Sequence, residues 1–167
     1  VIIGCLRLYT YSEPLERDIT TYAVIAQEIL NGRELYSDLW DHKPPLLYYS
    51  FLASQLIFGY GELSIFVLNV GSSILSLLAI FLITKNLKGD PRISCLAWTV
   101  SSGALGIEGN QPNVEVFLNL TLLWGLYFSL CKKSYASAYL FAVASLFKQI
   151  AIIFPYYISL VLRLDSI

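Results

Sequence analysis

Charge is scarce in this chain. Only 14% of its 167 residues are charged, where an ordinary soluble domain carries about 25%. Neither sign dominates: the net charge is −1, which excludes the basic footprint of a nucleic-acid binder. Histidine occurs once, as His42, and one histidine makes no metal site; it reads as an exposed loop residue. Cys5, Cys95 and Cys131 lie far apart, each in or beside an apolar run. That spacing gives neither a zinc pattern nor a disulfide framework, so they read as small apolar helix residues. There is no glycine loop for cradling a nucleotide phosphate, no internal repeat and no low-complexity tract. Methionine is absent even from position 1, and the chain opens inside one apolar run and stops just after another. It reads as a fragment lacking its true N-terminus and much of its C-terminal part. Val1 to Leu8 is then the exit end of a first transmembrane helix rather than a complete signal peptide.

What is abundant is apolar. Hydrophobic residues make up 56% of the chain and the mean hydropathy is +0.63. Aromatics reach 14%, with twelve tyrosines, a composition that suits interfacial belts. The expected fold is all-α, a multi-pass transmembrane helical bundle. A crossing needs about 20 apolar residues. Leu63 to Thr84 meets that length; Ile93 to Ile107 and Val114 to Leu130 are shorter. Tyr135 to Phe147 and Ile150 to Leu162 form a further pair, divided by Lys148-Gln149.

Basic residues orient these helices. Lys85, Lys88 and Arg92, then Lys132 and Lys133, then Arg163 mark the cytoplasmic loops by the positive-inside rule. Alternation puts Tyr9 to Gly61 and Glu108 to Asn113 outside. The expected organisation has residues 1–9 ending a first span, 10–61 forming the first outer loop with two surface helices, and 62–167 forming transmembrane helices. Arg7, Arg17, Arg33 and Lys43 depart from the charge rule on that outer side. Within the loop, Tyr22, Ile25, Ala26, Ile29 and Leu30 follow helical periodicity, and Asn31-Gly32 is a suitable stop. A second helix is expected to start at Pro44-Pro45, since proline suits a first turn, and to run to about Phe58. Both are too short to cross and are read as surface or re-entrant helices.

Charge within a membrane is costly, so the polar clusters carry the functional reading. Asp18 stands at the expected start of the first surface helix, where it suits either an N-cap or an ionised general base favoured by the helix dipole. Glu16 and Arg17 suit an exposed pair of little energetic worth. Lys43 opposes the dipole of the helix that follows it. It either snorkels or acts as a point-charge ligand for phosphate, with Asp41 as a local partner. Glu115 is a first-turn acid or, being near the membrane, a functional one; Glu108 is the less buried alternative. Lys148 interrupts an apolar stretch, either snorkelling or meeting an anionic head group. Asn119-Leu120-Thr121 matches a glycosylation sequon but falls in an expected span.

The run Glu16-Arg17-Asp18, Tyr22, Ala26, Gly32, Tyr36, Asp38, Asp41, Lys43-Pro44-Pro45-Leu46, Tyr48 resembles the first outer loop of the membrane-embedded C-type (GT-C) glycosyltransferases. The nearest branch is the protein-mannosyltransferase and aminoarabinose-transferase-like group. The resemblance covers most of this chain but only the N-terminal part of such an enzyme. It implies inverting transfer of a sugar from a polyprenyl-phosphate donor to a lipid, glycan or protein acceptor, at the extracytoplasmic face of a cell membrane. Asp18 matches the loop acid that acts as base or places the acceptor. Many members carry Asp-Glu there, whereas this chain has Asp18-Ile19, which leaves one acid for the task. Lys43 matches the lysine that contacts the lipid phosphate. Glu115 and Lys148 match, more loosely, a later acid and lysine of the site; with Glu16 and Arg17 they are the expected substrate-binding residues. Some relatives use a divalent metal; no certain cofactor is implied and no metal ligand is assigned. The rivals are a lipid-linked sugar flippase or other multi-pass transporter, whose acids should line a path deep in the membrane, and a non-enzymatic assembly subunit.

Overall fold

The computed structural model describes residues 2–11, 13–103 and 111–158. Glu108, Arg163 and the far ends of two expected spans lie outside the described residues. Among the described residues the elements are helical: α1 Ile2–Tyr9, α2 Arg17–Leu30, α3 Leu46–Phe58, α4 Glu62–Asn86, α5 Pro91–Gly103, α6 Val114–Leu130 and α7 Ser134–Ser145. A final stretch, Gln149–Ile158, opens as a 3-10 turn over Gln149–Ile153. The sole β pairing among these residues is an isolated bridge between Leu35 and Leu39.

Local chemistry accounts for these boundaries. α2 buries Ile19, Tyr22, Ala23, Ile25 and Ala26 along one face and stops where Gly32 takes φ +91°, a conformation that glycine adopts without steric cost. Helix α3 begins after the Pro44-Pro45 pair and ends at Gly59. Asn113 caps α6, its side chain accepting from the backbone N–H of Val114, and this helix has the bounds read from the sequence.

α6 packs against both α4 and α7. Gly125 lets α7 approach closely: a Cβ there would lie 2.7 Å from Cε1 of Phe141. Ser137 donates to the Gly125 carbonyl at 2.9 Å. Short links at 87–90 and 131–133 turn α4 into α5 and α6 into α7. Asn86 Nδ2 lies 4.0 Å from Cys131 Sγ, so α4 and α6 finish together at one end. Glu62, Ile65, Gln111 and Pro112 line one small cavity near the other end.

Among the described residues one helix, α4, is long and apolar enough to cross a membrane, with 25 residues, or about 37 Å at 1.5 Å per residue. Its burial is inverted relative to a soluble core helix. Ser64, Asn69, Ser72, Ser73 and Ser76 face inward, while Ile74, Leu75, Leu78 and Phe81 are exposed. The main core instead lies under α2 and α3. Tyr22 meets Tyr48 and Phe51 edge to face, Phe51 meets Phe117, and Phe117 stacks on Phe147 at 5.3 Å. This aromatic chain ties the segment before α4 to α6 and to the residues that follow α7.

Candidate functional site

The expected site residues come from four separate segments, and three devices bring them to one end of the bundle. The first is Gln111. Its Oε1 accepts from the Glu16 backbone N–H at 2.8 Å and its Nε2 donates to the Pro14 carbonyl at 2.9 Å. One amide thus staples the entry of α2 to the entry of α6. The second is the Leu46 backbone N–H, which donates to the Leu146 carbonyl at 3.3 Å and sets the Lys43-Pro44-Pro45 turn beside the end of α7. The third is Lys148, whose Nζ donates to Glu115 Oε1 at 2.6 Å. Lys148 has extended backbone, φ −150° and ψ 120°. The apolar stretch therefore breaks at this residue, and its side chain crosses to the first turn of α6.

Asp18 does not cap α2. The N-cap is Glu16, whose side chain makes no capping hydrogen bond, and Asp18 occupies the first turn. Its Oδ2 accepts from the Tyr22 hydroxyl one helical turn later, at 3.4 Å. Burial of Tyr22 chiefly, then the negative charges of Asp18 and Asp41, the hydrogen bond to Asp18 and the charge of Glu115 raise this phenol far above its ordinary pKa. Tyr22 therefore remains a protonated donor at neutral pH. Tyr48 is raised likewise, by burial first and then by Asp41. Its buried hydroxyl faces that carboxylate without a hydrogen bond of good geometry.

Asp41 is held by His42 rather than by Lys43. It accepts from the His42 backbone N–H at 2.6 Å and lies 2.9 Å from the exposed ring's Nδ1, an ion pair when that ring is protonated. The Lys43 backbone carbonyl accepts from the Tyr36 hydroxyl at 2.7 Å. Tyr36 itself has φ +72°, an uncommon conformation for a bulky residue that the turn around Leu39 holds in place. Among the described residues Lys43 has no ion pair within 4 Å, but its charge, with that of Lys148, acts on Glu115. Lys43, Glu115 and Lys148 are therefore electrostatic neighbours, and Asp18 and Glu115 both act on Tyr22. Arg17 is exposed in the first turn of α2.

The Asp18, Asp41 and Glu115 carboxylates are each engaged, by Tyr22, His42 and Lys148 respectively. Among the described residues no group of three or more His, Cys, Asp or Glu side chains could hold a metal ion. Among the described residues these side chains do not fit a divalent metal. The arrangement offers a carboxyl group beside a phenol donor, a lysine without an ion pair among the described residues, and a carboxylate–ammonium pair. A residue-by-residue reading misses Gln111, which announces nothing except a polar side chain next to Pro112 at a helix entrance. No protein-family model, curated protein or solved structure matches this chain.

Proposed function

We propose that this chain is the N-terminal part of a multi-pass membrane glycosyltransferase that moves a sugar from a polyprenyl-phosphate donor to an acceptor on the extracytoplasmic side, with inversion. The observation that carries the reading is the convergence of Asp18, Lys43, Glu115 and Lys148 at one end of the bundle. These residues lie up to 130 positions apart in the chain. Asp18 accepts the proton of the acceptor hydroxyl or amine as that group attacks the anomeric carbon. The bond from that carbon to the phosphate oxygen breaks, and the lipid phosphate leaves with the electron pair. Lys43 stabilises the charge on that leaving group, an electrostatic contribution. Tyr22 orients the Asp18 carboxylate, and the Glu115–Lys148 pair holds the entry of α6 to the residues after α7.

The membrane setting is supported by α4, with small polar residues inside and large apolar ones outside, the pattern of helices that pack in lipid. A second reading, a lipid-linked sugar transporter, is favoured by one observation: Arg7 lies buried inside the bundle, and intramembrane charges often mark transport paths. Transfer of labelled sugar in membranes separates the two. Asp18→Asn is expected to lower transfer about 100- to 10,000-fold, the usual contribution of a general base, while leaving membrane insertion intact. Transfer at the wild-type rate in that variant removes Asp18 as the base.

A further inference from the structure

Among the described residues Arg7 is the fully buried charge, and sugar transfer leaves it unused. It lies on α1 with 3% of its surface exposed, and its Nη2 reaches Ser73 Oγ only at 3.5 Å. Its Nε and Nη1 are buried without a hydrogen-bond partner. Among the described residues it forms no ion pair, and a buried cation without an anion is strongly unfavourable. Beside it opens a cavity of about 350 Å³ between α1, α4, α5 and α6, whose lining includes Ser76, Trp98, Glu115 and Asn119. Trp98 Nε1, which can only donate, is also buried without a partner.

Among the described residues the cavity is therefore rich in donors and short of negative charge. The one carboxylate among the described lining residues, Glu115, is already matched by Lys148 at 2.6 Å, and Lys148 does not belong to that lining. Water would satisfy the N–H groups but leave the guanidinium charge unbalanced. The volume is many times the roughly 30 Å³ share of one water and reaches the lower end of the range for ligand pockets. Three unmatched donor atoms on two helices suit the several oxygens of a phosphate.

We propose that the cavity of Arg7 and Trp98 is a second oxyanion subsite, holding a phosphate group in the bundle interior past Glu115. The subsite stands on these two side chains; that its phosphate is carried by a lipid rests on the glycosyltransferase reading. Arg7 supplies the countercharge, Trp98 an N–H, and the serine-lined wall of α4 a polar surface. The site differs from the contact assigned to Lys43, because Lys43 is not part of this lining.

The test is calorimetric titration of the full-length protein in phosphatidylcholine nanodiscs, with farnesyl phosphate and inorganic phosphate as separate probes. Arg7→Gln is expected to weaken phosphate binding about tenfold or more, the usual scale for losing a charged hydrogen bond, and Arg7→Lys to recover part of it. Arg7-dependent binding of inorganic phosphate assigns a free anion to the cavity; dependence with farnesyl phosphate alone assigns a lipid head group. Unchanged affinity of Arg7→Gln for both probes overturns the subsite. Should Arg7→Gln fail to fold, Trp98→Phe carries the same test: a several-fold loss supports the subsite and unchanged affinity overturns it. Loss of binding in Lys43→Ala with Arg7→Gln unaffected ends this proposal and leaves the transferase reading standing. The reverse pattern keeps the subsite and removes the phosphate contact assigned to Lys43.

Discussion

The two ends of the bundle carry charge differently. Where α4 and α6 finish, Lys85, Lys88, Arg92, Lys132 and Lys133 are exposed on and around tight turns. None of these cations forms an ion pair among the described residues. Lys88 and Lys132 take φ 58°, in the position after a helix end where glycine is the usual occupant. At the opposite end, four distant segments meet, and the Asp18, Asp41 and Glu115 carboxylates each face a particular donor. A cation on a water-facing turn needs no partner, so the first arrangement costs the fold little. The second is held by Gln111, the Leu46–Leu146 hydrogen bond and an aromatic chain. The basic end is a set of separate, water-facing cations; the other end is a set of matched polar groups.

Several substitutions would break or sharpen that contrast. Phe51→Ala, which cuts the aromatic chain under the site, is expected to cost about 3–5 kcal/mol in thermal or denaturant unfolding. Lys85→Ala at the basic end should stay within about 0.5 kcal/mol, and similar losses in both variants would erase the difference between the ends. Lys43→Ala is expected to weaken binding of the polyprenyl-phosphate donor roughly 10- to 100-fold. Lys133→Ala should leave donor affinity unchanged; equal effects would make the attraction to phosphate a matter of net charge. Lys148→Met removes a pair whose side chains are 41% and 51% exposed, and solvent screening limits its stability cost to about 1 kcal/mol or less. A larger loss would mean that the pair holds the break after α7 together. Lys132→Gly relieves left-handed backbone and is expected to gain no more than about 1 kcal/mol with transfer unchanged, checked by melting temperature beside the transfer assay.

The helices were largely legible in the sequence because their signals are local. The α6 bounds follow from the Asn113 cap, and α2 follows from its apolar period and Gly32. Asp18, Lys43, Glu115 and Lys148 were legible as residue types at particular places, but their convergence was not. It depends on contacts such as Glu16 to Gln111, 95 residues apart, which leave no periodic trace. Asp18 suited a cap by spacing, yet the helix starts earlier and its carboxylate turns to Tyr22. Asp41 suited Lys43 as a neighbour, yet the turn aims it at His42. Arg7 read as an exception to a charge rule at the outer side; in the fold it is drawn into the bundle against Ser73. Burial of a charge depends on which helices close around it, and that is decided only when α1 meets α4 and α5.

The most direct measurement follows the label of a polyprenyl-phosphate sugar supplied to the full-length protein in sealed proteoliposomes with a crude acceptor extract. The sugar is expected to leave the lipid and to appear on an acceptor with inverted anomeric configuration, leaving the lipid phosphate behind. Label that crosses the bilayer still attached to its lipid, with no transfer to any acceptor, would contradict it and make the protein a transporter.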